Sequence, residues 1–324
     1  MARSPSSTLA TPPPTAPPAA PAVKRGRPRK GEQRPAPAPK TPSTPRRPMP
    51  RPFLKWAGGK GEIVEAILAR LPQEMPFYIE PFVGGGAVFF ALARAGRVQR
   101  ALLGDRNPEL VEVWCQVRDH VEAVIEGTRA WTPDKASYYA VRALAPTELS
   151  AAERAARVLW LNRHCFNGLY RLNSSGQFNV PFGSYDGRPP RIDQDNLRRC
   201  SEVLQGVEIL QGDYLQVLEN VEKNAVVYLD PPYAPVSATA NFNQYDGLAF
   251  NEADQTRLAA EFAALPARGV RCAVLSNSDT PLTQALYQDR AGVHVERVMV
   301  RRSINRNAAG RQQVSELLAR VVSE

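Results

Sequence analysis

The chain is short of the residues that build zinc sites and disulfide frameworks. Its four cysteines, Cys115, Cys165, Cys200 and Cys272, share no C-x-x-C spacing, and 324 residues hold three histidines. That scarcity argues against a zinc site or a stapled secreted fold, and for a reducing cytosol. His164 and Cys165 are adjacent, and neighbouring side chains seldom face each other, which argues against a thiol nucleophile there. No apolar run approaches the roughly 20 residues of a membrane helix, and the first residues lack the apolar core of a secretory signal. Residues 1–52 have no aromatic residue and a single acid, Glu32.

What those first 52 residues do have is eleven Lys/Arg and 16 of the 30 prolines. Their charge of +10 exceeds the +9 of the whole chain, so residues 53–324 carry −1. Such a segment buries too little apolar surface to offset its ordering entropy and is expected to be disordered. Within it, KRGRPRK (Lys24–Lys30) resembles an AT-hook with the core Arg25, Gly26, Arg27, Pro28. Glycine permits close approach to a narrow A·T minor groove, and arginines favour its strong negative potential.

From Phe53 the composition becomes that of a folded α/β domain. A helix is expected over Ile63–Leu71, ending before Pro72. FYIEPFVGGGAVFFALA reads as strand, glycine turn and helix, and ALLGDRNPELVEVWCQV as strand, acidic turn and helix. VEILQGDY, AVVYLDPPY and VRCAVLSNSD read as further strands ending in polar loops, with a helix over Asn251–Leu265. Strands alternating with helices imply a doubly wound, mostly parallel sheet covered on both faces. The segment 121–199 interrupts this pattern with LNRHCFNGLYRLNSSGQFNVPFGSY, rich in Asn, Gly, Arg and aromatics. It is expected to be an inserted recognition domain of loops or a hairpin, dividing the catalytic domain into 53–120 and 200–324.

In a doubly wound sheet, ligands bind outside the carboxyl ends of the strands. Four loops fall there: EPFVGGGA, GDRN, GDY and DPPY. Asp105 ends the second strand, where an acid can accept hydrogen bonds from ribose hydroxyls, and with the glycine turn this argues for an adenosine-containing cofactor. A dinucleotide site fits less well, because Phe89 stands where the last glycine of G-x-G-x-x-G belongs. A phosphate-binding P-loop at Gly58–Lys60 fails, because Gly61 stands where Ser or Thr is required.

DPPY after a strand resembles the catalytic motif of amino-methyltransferases that modify adenine N6 or cytosine N4 in DNA. FLKWAGGK (Phe53–Lys60), EPFVGGG, the GD ending at Asp105, NGLYR, DPPYAPVSATANF and VRRSI (Val300–Ile304) follow the order found in the Dam family. That family belongs to the D12 class and methylates adenine in GATC. The resemblance covers essentially everything from Phe53 onward. It implies a Rossmann-like S-adenosylmethionine-dependent methyltransferase fold, double-stranded DNA as substrate, a monomer, no metal and a place in the cytoplasm on the nucleoid.

The chemistry of the residues agrees. An exocyclic amine is a poor nucleophile because its lone pair is delocalised into the ring. Acceptors for its N–H groups that favour a pyramidal nitrogen restore that lone pair. Asp230 and the carbonyl of Pro231 supply such acceptors, and Tyr233 supplies a ring for stacking. The methyl sulfonium of S-adenosyl-L-methionine then reacts in line, without a covalent enzyme intermediate, so positioning and fixed dipoles carry the rate. A target inside a duplex must be flipped out, at a cost of a few kcal/mol or so.

The resemblance also assigns individual residues. Trp56, Lys60, Asp105 and Asp230 match cofactor-contacting positions, Phe82 and Gly84 the surroundings of the methionine portion, and Asp213 and Tyr214 those of the adenine ring. Lys55 matches a residue on the target duplex. Asn167, Leu169, Arg171, Pro181 and Tyr185 match base-reading positions, and Phe166 an aromatic that fills the space left by the flipped base. Arginine is the usual bidentate reader of guanine and asparagine of adenine, and an aromatic wedge stabilises an unstacked step. The tail, Ser174–Ser175 and the DGRPPR stretch after Tyr185 depart from the family's pattern. Two rival readings remain at this stage: a cytosine-N4 or RNA amino-methyltransferase, and a non-catalytic DNA-binding protein using the AT-hook.

Overall fold

The computed structural model describes residues 48–235, 250–301 and 313–323. The AT-hook-like arginines Arg25 and Arg27, and much of the segments DPPYAPVSATANF and VRRSI, lie outside the described residues. In chain order the elements are α1 (Val64–Arg70), β1 (Met75–Glu80), α2 (Ala87–Arg94), β2 (Val98–Asp105), α3 (Pro108–Asp119), α4 (Val121–Arg129) and α5 (Lys135–Ala143). Then come α6 (Ala151–His164), α7 (Gln194–Leu204), β3 (Glu208–Gln211), α8 (Tyr214–Leu218), β4 (Val226–Leu229), α9 (Glu252–Ala264), β5 (Cys272–Ser278), α10 (Pro281–Tyr287), β6 (His294–Arg301) and β7 (Gln313–Val322).

Helix starts follow local chemistry. Asn107 accepts from the amide of Leu110 while Pro108 opens α3 without needing a donor. Ser150 and Glu153 form a reciprocal cap on α6, and Asn251 and Asp254 do the same on α9.

The strands form one seven-stranded sheet in the order β3-β2-β1-β4-β5-β7-β6. β1 to β5 run parallel, and β7 inserts antiparallel to both β5 and β6. Side chains alternate between the faces. Tyr228 and Val274 join a core with Ile67, Phe89, Phe90 and Trp114 from α1, α2 and α3. Val227 and Leu275 join the opposite core with Val217, Leu258, Phe262 and Tyr287 from α8, α9 and α10.

The stretch between α3 and β3 splits its loyalties. Val124 and Ile125 of α4, Ala155 and Leu159 of α6 and Leu197 of α7 pack into the first of these cores. Tyr138, Trp160, Cys165, Tyr170, Phe178 and Val180 form a third, smaller cluster. This cluster anchors a loop closed by the antiparallel bridges Cys165–Phe182 and Leu172–Phe178. The segment therefore shares the core of the sheet and carries a protruding hairpin-like loop. Pro48 to Pro52, tail by composition, belong to the same compact unit: Arg51 exchanges backbone bonds of 3.1 and 2.8 Å with the Asn196 side chain.

Candidate active site

Strand order reverses between β1 and β4, and the loops leaving the strands around that point share one cavity of about 290 Å³. Its floor combines Phe82 and Gly84 after β1, Asp105 and Asn107 around the end of β2, Asp213 and Tyr214 after β3, and Asp230 to Tyr233 after β4. Trp56 and Lys60 close it from the segment before α1.

The glycine turn needs glycine for two reasons. Gly84 and Gly86 have φ of 48° and 70°, a region other residues rarely adopt. A Cβ on Gly86 would also stand 2.4 Å from the Trp114 ring. The indole of Trp114 donates to the carbonyl of Gly84 at 3.0 Å, which ties the turn to α3. Asp105 secures the other side. Its carboxylate accepts from the amides of Gly84 (3.1 Å) and Asn107 (3.0 Å), and its carbonyl accepts from the amide of Gly212 (3.0 Å). One residue thus aligns three of the strand-end loops.

Asp230 sits at the inner end of the cavity between two donors. The ammonium of Lys60, itself 6% exposed, lies 2.7 Å from Oδ2, and Ser276 Oγ donates to Oδ1 at 3.0 Å. Ser276 is in turn within 2.8 Å of the Tyr228 hydroxyl. Burial raises the pKa of Asp230, and Lys60 and Ser276 pull it down in part. Desolvation wins the balance, so the carboxylate is held ready to accept rather than deeply stabilised as an anion.

The prolines alone do not fix the loop that follows. Gln255 Nε2 donates to the Pro232 carbonyl (2.8 Å), the Ala234 amide donates to Asn277 Oδ1 (3.0 Å), and Asn277 donates to Gln255 Oε1 (2.9 Å). Gln255 and Asn277 are almost fully buried, so this amide pair clamps the loop backbone on both sides of Tyr233.

Glu80, at the end of β1, is buried beneath the site and accepts from the Tyr78 hydroxyl at 2.8 Å. Desolvation lifts its pKa to about 8 despite that bond, and Asp230 adds to the rise. Between the ordinary 4.5 and about 8 the native protein therefore holds a proton that the unfolded chain has released. Stability falls as pH rises through that window. Thermal unfolding from pH 5 to 8.5 is expected to show that decline, and Glu80→Gln to flatten it. An equally steep decline in Glu80→Gln would assign it to other groups.

A family model for D12 class N6 adenine-specific DNA methyltransferases matches residues 56–304. The chain belongs to this family. A DNA adenine methylase of Vibrio cholerae is 39% identical over 275 residues, covering 83% of this chain and 95% of the relative. The DNA adenine methylase of Haemophilus influenzae is 38% identical over 276 residues, 83% of this chain and 93% of the relative. The type II methyltransferase M.MjaIII of Methanocaldococcus jannaschii is 36% identical over 272 residues, 79% of this chain and 93% of the relative.

The methyltransferase is an enzyme of DNA adenine methylation that uses S-adenosylmethionine. Its cavity fits such a cofactor. Phe82 stacks on Tyr214 with centroids 5.4 Å apart and Phe250 meets both edge-on, a wall suited to a flat ring, while Asp105 faces the same space. All seven residues expected to contact the cofactor, Trp56, Lys60, Phe82, Gly84, Asp105, Asp213 and Asp230, line this one cavity with Pro231 and Tyr233. Besides Asp105 and Gly84, others carry structural duties as well: Asp213 caps α8 through the Leu215 amide (3.1 Å), and Trp56 packs on Tyr170 of the insertion at 5.0 Å. Among the described residues no group of three His, Cys, Asp or Glu side chains is placed to hold a metal ion, and no helix is long and apolar enough to cross a membrane.

The residues expected to meet DNA lie away from the cavity floor. Phe166 is 46% and Leu169 38% exposed, and between them Asn167 adopts the left-handed conformation with φ 55°. The Phe166 amide donates to the Pro181 carbonyl at 2.9 Å. Arg171 is exposed, its Nε donating to Asn179 Oδ1 at 2.6 Å. Tyr185 is half-buried, packed on Phe182 with its hydroxyl 3.4 Å from the Arg163 carbonyl. The Lys55 side chain packs over Gly168, where a Cβ would approach it to 2.5 Å, and its backbone is pinned by Asn162 through bonds of 2.9 and 2.8 Å.

Sequence reasoning missed Ser276, Asn277, Gln255 and Glu80. The signal for two of them was present in Ser276-Asn277-Ser278, a polar run that closes a fully buried strand. Gln255 gave none, being one polar residue on an amphipathic helix.

Proposed function

We propose that this methyltransferase acts on double-stranded DNA as a monomer, in the compartment that holds the DNA, and methylates the adenine of GATC after the base has left the helix. The observation that carries the reading is the seat of Asp230. It lies at the end of β4, oriented by Ser276 and Lys60, with the Tyr233 ring against the same lysine at 4.6 Å.

In this mechanism the Asp230 carboxylate accepts one N–H of the target amine and the Pro231 carbonyl the other, favouring the pyramidal nitrogen that can attack. Tyr233 stacks on the base and excludes water from its face. Bound S-adenosylmethionine supplies an electrophilic methyl group, with Asp105 holding its hydroxyls and Phe82, Tyr214 and Gly84 shaping its place. Asp230, whose pKa is raised by burial, is the base nearest the proton that the amine gives up. Phe166 fills the gap in the duplex. Lys55, Asn167, Leu169, Arg171, Pro181 and Tyr185 meet the flanking bases and backbone.

The exposed hairpin-like loop supports this reading. It places a large apolar ring, an asparagine in the left-handed conformation and an arginine on one exposed loop outside the sheet. Sequencing of DNA methylated by the purified protein, with mass spectrometry of the modified base, tests it. N6-methyladenine within GATC is the expected product. N4-methylcytosine, methylated RNA alone, or adenine methylation in another context would overturn the reading at the corresponding point.

A further inference from the structure

Tyr233 is tethered at its far end by a residue from the last strand. Its hydroxyl donates to Glu316 Oε2 at 2.9 Å, across 83 residues of sequence. Glu316 lies on β7, beyond the residues matched by the family model, in register with Ser278 of β5 and Val298 of β6. Ser278 Oγ donates to the Ala234 carbonyl at 2.6 Å, and Asn277 takes the Ala234 amide. The end of β5 therefore fixes the peptide that follows Tyr233.

Fixing the peptide does not fix the ring. A tyrosine keeps two side-chain torsions, and the ring torsion is broad. Among the contacts that restrict them are the Lys60 ammonium on the ring, 4.6 Å from its centroid, the carboxylate of Glu316 at the phenol, and a hydrogen bond with the Ser276 side chain. A hydrogen bond to an ionised acceptor is roughly twice as strong as a neutral one. Burial, together with Asp230 and Glu316, pushes the Tyr233 pKa well above its ordinary value, so the phenol remains a donor across the working pH range.

We propose that Glu316 is a positioning residue for the methyl-transfer step, holding the Tyr233 ring in the plane that receives the target base. The inference rests on the stacking role given to Tyr233 above. Because Glu316 is half-exposed and lies outside the hydrophobic cores, its replacement is expected to leave the fold in place, which a thermal melt checks.

The test uses the full chain, S-adenosylmethionine and a duplex carrying the sequence this enzyme is found to methylate. Glu316→Ala is expected to lower kcat on the order of tenfold with little change in KM for S-adenosylmethionine. Glu316→Gln, whose amide oxygen still accepts from the phenol, should restore most of the rate. Tyr233→Phe combined with Glu316→Ala should be no slower than the slower single variant, since both remove the same bond. A purely structural role would instead lower the thermal midpoint and affect both variants alike. Unchanged kcat in Glu316→Ala, or additive losses in the double variant, would overturn the assignment. 2-Aminopurine at the target position separates this inference from the reading beneath it. Absence of a fluorescence rise with the parent enzyme would count against base extrusion. A parental rise that Glu316→Ala leaves unaltered, with kcat unaltered too, would count against Glu316.

Discussion

Asp230→Ala is expected to lower the rate of methyl transfer by about 10²–10³-fold or more, while duplex affinity changes only severalfold. In the proposed mechanism the carboxylate is the acceptor at the reacting nitrogen, so its loss removes an interaction that strengthens only as that nitrogen pyramidalises. A second effect points the same way. Lys60 is 6% exposed and loses its partner at 2.7 Å, and an unpaired buried ammonium is costly. Asp230→Asn separates the two contributions. It retains the shape and one acceptor oxygen but not the charge, and it places a donor group beside Lys60 or the amine.

Single-turnover transfer of labelled methyl groups, with thermal melts as a control for folding, makes the measurement. A rate within tenfold of the parent would remove Asp230 from the chemistry. The pH profile gives an independent reading. The pKa of Asp230 is raised above its ordinary 3.8, and the ionised form is the one that accepts. Transfer should therefore fade as pH falls toward that raised value, on the acid limb of the profile.

Asp105→Ala is expected to weaken S-adenosylmethionine binding by about 10–100-fold, equivalent to roughly 1.4–2.7 kcal/mol. Part of that loss comes from the hydroxyl contacts assigned to the carboxylate. The remainder comes from the protein. The amides of Gly84 and Asn107 lose their acceptors, and an unsatisfied amide costs about 1–3 kcal/mol where it is buried. The glycine turn then loses its bond to the Asp105 carboxylate and keeps the Trp114 bond at 3.0 Å and that of the Val83 amide to the Gly104 carbonyl at 2.8 Å. Calorimetric titration with S-adenosylmethionine and with its demethylated product measures the affinity, and a melt measures the fold. A lowered melting temperature with unchanged affinity would make Asp105 a clamp for the turn and nothing more.

Much of this site was legible because its chemistry is local. DPPY, the glycine turn and Asp105 each lie within a few residues of a strand end, and a buried strand that breaks into prolines or glycines can be seen in a single window. The expected helix over Ile63–Leu71 and the observed α1, Val64–Arg70, agree for the same reason, a short periodic pattern stopped by Pro72. The residues expected to contact the cofactor converge because parallel strands deliver all their carboxyl ends to one edge of the sheet, a rule that needs no knowledge of strand order.

The alternation of strands and helices, the break at each strand end and the order of the motifs were determined by the sequence alone, and with them the family and the expectation that Asp230 is the catalytic carboxylate. Tertiary structure alone decided which distant groups hold that carboxylate and its loop. Ser276 reaches Asp230 across 46 residues, Asn277 reaches Ala234 across 43 and Glu316 reaches Tyr233 across 83. These contacts exist because β5 lies beside β4, and β7 inserts antiparallel between β5 and β6. The apolar pattern of a buried strand states that it is buried, but it does not name its neighbour. Strand neighbours are chosen by long-range packing and loop closure, which leave no periodic trace in the chain.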